Sequence, residues 1–235
     1  MSGADPDKVA SPLFRQPTSV FLGGASRPLL NWVAFALASG TSGGFLWTDV
    51  RLGGEVLDPL DPLARGLIPP DRFNSVEAEE LKRDDFAGNL AVGGLVRSDE
   101  ASDFARRFAD FLRLPPHTRG MISKLPREGS PAVLVLSNAH RLVALYPTET
   151  VGPVIRSIVA SGVSLLLTFA DASPDARQAF DQVFHLEGND PASWRDAVLR
   201  IEKGSASGRL RKGAVVPLKT LPEVASVLGR SLDRR

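Results

Sequence analysis

The stretch Phe21 to Trp32, FLGGASRPLLNW, sets a glycine pair between an apolar run and a segment that opens with proline. Glycines between a strand and a helix are one way a chain holds phosphate. Backbone N–H groups at the helix N-terminus point at the anion, and a lysine neutralises it. The motif that does this is a glycine, four residues, then glycine, lysine and a hydroxyl residue. Counted from Gly23, those last three places fall on Pro28, Leu29 and Leu30. The lysine place is Leu29, the place of the Mg²⁺-directed hydroxyl is Leu30, and Pro28 has no N–H to give. Arg27 is the nearby cation. It would reach a phosphate from inside the loop rather than from the helix, and its other reading is a solvated loop residue. Gly23 and Gly24 read as turn formers that permit a tight strand-to-helix connection.

Other chemistries are thinly supplied. The chain has 235 residues and no cysteine, so disulfides and thiolate metal sites are excluded. His117, His140 and His185 have no partner at metal-ligand spacing, and no metal site is expected. Ser137, His140 and Asp171 make a triad only on paper, because no G-x-S-x-G elbow carries the serine. No catalytic residue is assigned. Ser137 and Asn138 read as cap or turn residues after a strand, His140 as a polar loop or cap residue, and Asp49 as a cap or surface acid at a strand end. The remaining cluster is basic. Arg209, Arg211 and Lys212 sit beside Gly204 and Gly208, within a stretch from Arg200 to Arg235 that carries nine basic and three acidic residues. The whole chain is only +1, so this end is positive and the rest negative. Such a cluster suits an acidic protein surface or a nucleic-acid backbone, or it is a solvated turn. It has no interleaved aromatics for stacking on single strands.

The elements that would position these residues follow from periodicity and caps. Residues 1–16 read as a loose tail without the basic start and apolar core of a signal peptide. TSVFLGG reads as a buried strand, PLLNWVAFALASG as a buried helix ended by Gly40, GGFLWTDV and RFNSVE as two further strands. A short helix is expected near Leu63. SDEASDFARRFADFLRL is an amphipathic helix capped by Ser98, while residues 78–97 show no clear element. PAVLVLSN and VSLLLTFA are unbroken apolar strands on either side of the helix TVGPVIRSIVASG, as in a parallel sheet. Ser173-Pro174-Asp175 opens a short helix, and DQVFHLEG is a strand. AVLRIEKG and GAVVPLK form a hairpin with a basic turn, and a last helix opens at Thr220 to Glu223 and stops at Gly229. Strand and helix alternate, which predicts an α/β fold. Hydrophobic residues make up 43% of the chain, enough for a sizeable core, and no apolar run reaches transmembrane length. A soluble cytoplasmic protein is expected.

The order and some of the wording resemble the RecA-like ATPases, and the KaiC branch most closely. The likeness is strongest from Ala132 to Gly188, where AVLVLSN, VIRSIVASGVSLLLTFADAS and FDQVFHLEG follow one another, and it extends to AVLRIEKGSASGRLRKGAVVPL. It implies a RecA-like core over residues 17–190, a mostly parallel sheet with helices on both faces. Residues 191–235 would add a C-terminal β-hairpin and helix to the same domain. Gly23 to Leu30 then occupies the Walker A position with its key groups replaced. Ser137-Asn138 takes the Walker B position without the acid, and Asp49 becomes a remnant of the catalytic carboxylate. The implied function is a pseudo-ATPase, without cofactor, that acts as a regulatory or structural subunit through protein contacts. Its partner would be a competent RecA-like subunit, whose nucleotide Arg209, Arg211 and Lys212 could approach, or a second copy of the chain. Two alternatives stand beside it: a DNA-associated, recombinase-paralogue-like protein using the basic hairpin, and an ATPase with an atypical loop centred on Arg27.

Overall fold

The computed structural model describes residues 12–14, 16–41, 44–51, 62, 66–69, 73–77, 133–141, 152, 155–156, 159–160, 162–170, 176–204 and 210–232. Its centre is β1 (Ser19–Gly24), every residue of which is buried. The chain continues into α1 (Arg27–Ser39), β2 (Phe45–Arg51) and β3 (Phe73–Glu77), then β4 (Val133–Ser137) and β5 (Ser164–Phe169). It closes with β6 (Gln182–Glu187), β7 (Val198–Lys203), β8 (Val215–Pro217) and α2 (Pro222–Leu232). The strands form one mixed, mostly parallel sheet in the order β3-β2-β4-β5-β1-β6-β7-β8. All pairings from β3 to β6 are parallel, and β6–β7 and β7–β8 are antiparallel.

This order explains why helical segments cover both faces. From β1 the chain moves toward β2 and crosses β5 and β4, and α1 packs on β1, β5 and β4 as it does so. From β5 it moves the other way, past β1 to β6. Crossovers of one hand that leave in opposite directions must run over opposite faces. The second crossover accordingly carries a 3-10 turn, Ala176–Ala179, with Arg177 over the Phe21 ring and Phe180 edge-on to it. Phe21 stacks on Phe169 at 4.1 Å on that face. Val20, Leu22, Val133, Val135 and Leu166 lie in the core cluster with α1 on the other. Helical backbone at 152, 155–156 and 159–160, with Ile155 buried, agrees with the helix expected before β5.

The expected β-hairpin is the β7–β8 pair, and Gly204 at its base has no room for a side chain, since a Cβ there would lie 1.9 Å from the Leu210 carbonyl oxygen. Two expectations are corrected. The loose tail is shorter than residue 16: Pro12–Phe14 form a 3-10 turn, and Leu13 and Phe14 are buried because the core has room for them. The last helix does not stop at Gly229 but runs to Leu232. A glycine inside a helix costs about 1 kcal/mol, and burial of Leu228 with packing of Leu232 offsets that. One further turn had no counterpart among the expectations. Asp190 caps Pro191–Asp196 by accepting from Ala192 N at 2.8 Å, and Trp194 from that turn enters the core. Pro62 is buried with helical backbone where a short helix was expected near Leu63; Leu63 itself, the helix expected over residues 98–114 and the Ser173 to Asp175 start lie outside the described residues.

Leu134 pairs with Leu165 and Leu136 with Leu167, and all four are buried on the face opposite α1. Each Leu→Ala change should therefore cost about 2–5 kcal/mol. Chemical denaturation of the four single variants checks this, and near-neutral effects at all four would contradict the buried pairing of β4 and β5.

Candidate functional site

In an open parallel sheet, ligands bind at the carboxyl ends of strands, where neighbouring strands send their connections to opposite sides. Here that place is the end of β1 and β5, flanked by β4 and β2. The sequence candidates Gly23, Gly24, Arg27, Ser137, Asn138 and Asp49 all fall on this edge.

The β1–α1 connection is short. The strand runs through Gly24 and the helix starts at Arg27, so only Ala25 and Ser26 lie between. Ser26 is the N-cap. Its Oγ accepts from Leu29 N at 3.4 Å, and its carbonyl accepts from Leu30 N at 2.9 Å. Pro28 contributes no N–H. Of the donors at this helix start, the Leu29 and Leu30 amides are thus engaged and Pro28 has none. Leu29 and Leu30 are fully buried. The Leu29 methyl lies where a Cβ on Gly188 would come to 2.8 Å, and Leu30 packs near Gly24. A triphosphate with its metal needs open amides, a cation and a hydroxyl. The residues present do not fit it.

The glycines act differently from expectation. Neither Gly23 nor Gly24 has a positive φ, and both belong to β1. Ala25 and Ser26 make the turn. Gly24 is needed for space, since a Cβ there would lie 2.7 Å from the Leu186 carbonyl oxygen. Arg27 is not a solvated loop residue. It is the first residue of α1, half-buried, and its charge acts on Asp49.

Asp49 is also not a surface acid, because it is fully buried. Period-2 alternation puts Phe45, Trp47 and Asp49 on one face of β2 and Val133, Val135 and Ser137 on the same face of β4. The register pairs Asp49 with Ser137. Ser137 Oγ donates to Asp49 Oδ1 at 2.6 Å, and Asn138 Nδ2 donates to the same oxygen at 2.6 Å. Trp47 Nε1 in turn donates to Ser137 Oγ at 3.1 Å. Asn138 turns the chain with φ 58, a conformation asparagine tolerates. Its N–H donates to Thr168 Oγ1 at 3.0 Å, which ties the turn to β5. Arg141 follows and donates to the Val50 carbonyl at 2.7 Å. Asp49 Oδ2 is buried without a hydrogen-bond partner.

Burial pushes the Asp49 carboxyl above its ordinary value. The Ser137 hydrogen bond, the Arg27 charge, the Asn138 hydrogen bond and the Arg141 charge all oppose that rise. The cluster is a carboxyl locked to two neutral donors, with two guanidinium groups acting at longer range. Its oxygen Oδ1 is already doubly occupied, which suits a fastener between β2 and β4 rather than a base awaiting a substrate. Sequence spacing singles out Asp49, Ser137, Asn138 and Arg27 but not their assembly, nor Arg141, Trp47 and Thr168; the available signal was polar residues at the ends of two apolar strands. His140 lies in the turn after Asn138, half-buried. Asp171 lies outside the described residues.

Of the basic cluster, Arg211 and Lys212 are exposed at the hairpin end and Arg209 lies outside the described residues. Leu210 is buried in the core and anchors the turn from inside. This cluster is on the β8 side of the sheet, four strands beyond β5, and does not join the Asp49 group. Among the described residues, no group of three or more His, Asp or Glu is placed to hold a metal ion, and no helix is long and apolar enough to cross a membrane.

The raised Asp49 value fixes a sign. The folded state holds its proton to a higher pH than the unfolded chain does, so this contribution to stability is complete below the unfolded value and is lost as pH rises through the folded one. Asp49→Asn should remove that loss and flatten the stability profile across the same range, as measured by urea denaturation at a series of pH values. Asp49→Ala should instead cost about 1–3 kcal/mol, because it strands the Ser137 and Asn138 donors.

Comparison with protein-family models finds no match to this chain, and comparison with curated proteins finds none either.

Proposed function

We propose that this chain is a RecA/KaiC-like α/β domain without ATPase activity, a pseudo-ATPase that acts as a regulatory or structural subunit through protein–protein contacts. The carrying observation is the closed β1–α1 turn. Ser26 engages the amides of Leu29 and Leu30, and the two leucines at the lysine and hydroxyl places are core residues. A mostly parallel sheet with its first strand near the middle and an antiparallel C-terminal pair supports the RecA-like part. The partner is a protein: a competent subunit of the same family or a second copy. The reading of an ATPase centred on Arg27 loses ground, because that charge acts on Asp49 from the start of α1.

A DNA-associated role keeps one specific observation in its favour, the exposure of Arg211 and Lys212 in a positively charged C-terminal stretch. Few clustered charges give a shallow salt dependence and weak non-specific affinity, so this reading ranks second. Anisotropy with duplex DNA at low and near-physiological salt separates the two. Binding that persists at physiological salt and disappears when Arg209, Arg211 and Lys212 become alanine would reverse the order.

ATP with Mg²⁺ is expected to leave the melting temperature unchanged at millimolar concentration. A ligand at a hundred times its dissociation constant would add about 2.7 kcal/mol, and for a chain of this size each kcal/mol moves the midpoint by roughly 2–4 °C. A shift of that size that Arg27→Ala abolishes would restore the ATPase reading. Leu29→Lys combined with Leu30→Ser should lose stability without gaining nucleotide affinity, since the turn stays two residues long and Ser26 keeps its amides.

A further inference from the structure

We propose that a cavity between α1, α2 and the 66–69 segment binds a small apolar anion, a hydrocarbon or aromatic body ending in a carboxylate. The cavity has a volume of about 570 Å³, inside the range of about 300–1,000 Å³ usual for small-molecule sites. It lies at the amino end of β2, beside Phe45, and so away from Asp49 and the closed turn. Nothing in it depends on the pseudo-ATPase reading.

The walls set the ligand's body. Phe35 and Phe45 meet edge to face at 5.8 Å, and Ala36 lies beside them. Leu67, one of two large hydrophobic side chains exposed among the described residues, stands at 37% exposure on the opposite wall. Phe35, Ala36 and Phe45 are buried and form the floor, while Leu67 and the half-buried Val227 supply the apolar surface that a ligand would cover.

α2 sets the head group. Its residues Val224 and Leu228 enter the core, while a second stripe, Glu223, Ser226, Val227 and Arg230, faces the cavity. Arg230 Nε donates to the Ser226 carbonyl at 3.0 Å, which holds the guanidinium along the wall. A guanidinium held in this way pairs with a carboxylate. Glu223 is seven residues earlier, about 10 Å back along the helix axis, and is buried. The C-terminal residues of α1, Ser39 and Gly40, also line the cavity and present the negative end of that helix. An anion is disfavoured at both of those places, so its head lies at Arg230 and its body runs over Phe35 and Phe45.

Decanoate, below its micellar concentration, is the probe, and calorimetric titration of the full chain is the measurement. Saturable binding of one decanoate per chain is expected, with decylammonium clearly weaker. Arg230→Met should weaken decanoate by about fivefold, the size of an exposed ion pair, and should narrow the gap to decylammonium. Ser226→Trp, at an exposed position on the α2 wall, should fill the cavity and abolish saturable binding while the circular dichroism spectrum stays that of the parent. If that variant does not fold, Ser39→Trp fills the cavity from the α1 wall instead. No saturable binding to the parent chain, unchanged binding to the folded tryptophan variant, or equal affinity for decylammonium would each overturn the proposal.

Discussion

A parallel strand that is buried on both faces has to return its chain over one of them, and the hand of that return is fixed. This constraint decides most of what the molecule looks like. With β5 and β6 on either side of β1, the chain must leave β1 over one face and leave β5 over the other. Both faces of the central strands are sealed as a result, which is why β4 and β5 read as unbroken apolar runs. The same constraint opens a place for a ligand between the ends of β1 and β5. In this chain the helix start beside that place is packed into the core. Ser26 caps the helix, Leu30 packs near Gly24, and Leu29 packs against Gly188.

The polar cluster beside it follows the same economy. A buried carboxyl is costly unless its hydrogen bonds are met. Asp49 has two short bonds on one oxygen and none on the other. The arrangement is therefore only half satisfied, and burial outweighs the donors and the guanidinium charges in setting the direction of its proton affinity. What the cluster does achieve is linkage. Trp47 and Asp49 on β2, Ser137 and Asn138 at the end of β4, and Thr168 on β5 are joined by one chain of hydrogen bonds. That chain holds three strand ends in register.

Element type was legible wherever a strong local signal existed. The runs VFL, VLVL and LLL are strands because nothing polar interrupts them, and α1 starts at Arg27, one residue before the Pro28 at which it was expected to open. Strand order was not legible, because it depends on contacts between residues far apart in sequence. Asp49 shows the difference. Its position at a strand end could be read directly, but its burial could not, since that depends on β4 and β3 pairing on either side of it. Gly24 is the same case in small. The sequence suggests a residue chosen for conformational freedom, whereas the reason for it is the backbone of β6 a short distance away. Gly229 misled because a local helix-ending signal was overruled by packing further on.

The distribution of charge and exposed apolar surface then argues for where contact with other molecules belongs. At the carboxyl edge Asp49 Oδ1 is bonded to Ser137 and Asn138, and the helix start is capped by Ser26. Among the described residues, the exposed basic pair and the exposed apolar wall lie elsewhere: Arg211 and Lys212 at the hairpin on the β8 side, and Leu67 and Arg230 at the amino end of β2. Neither lies where the sheet topology would put a catalytic centre. Fold is no guide to function by itself, and here the usual site of the topology and the exposed chemistry are separated in space. A chain so arranged can keep the sheet for its stability and act through its periphery, which is the physical sense of the non-catalytic role proposed for it.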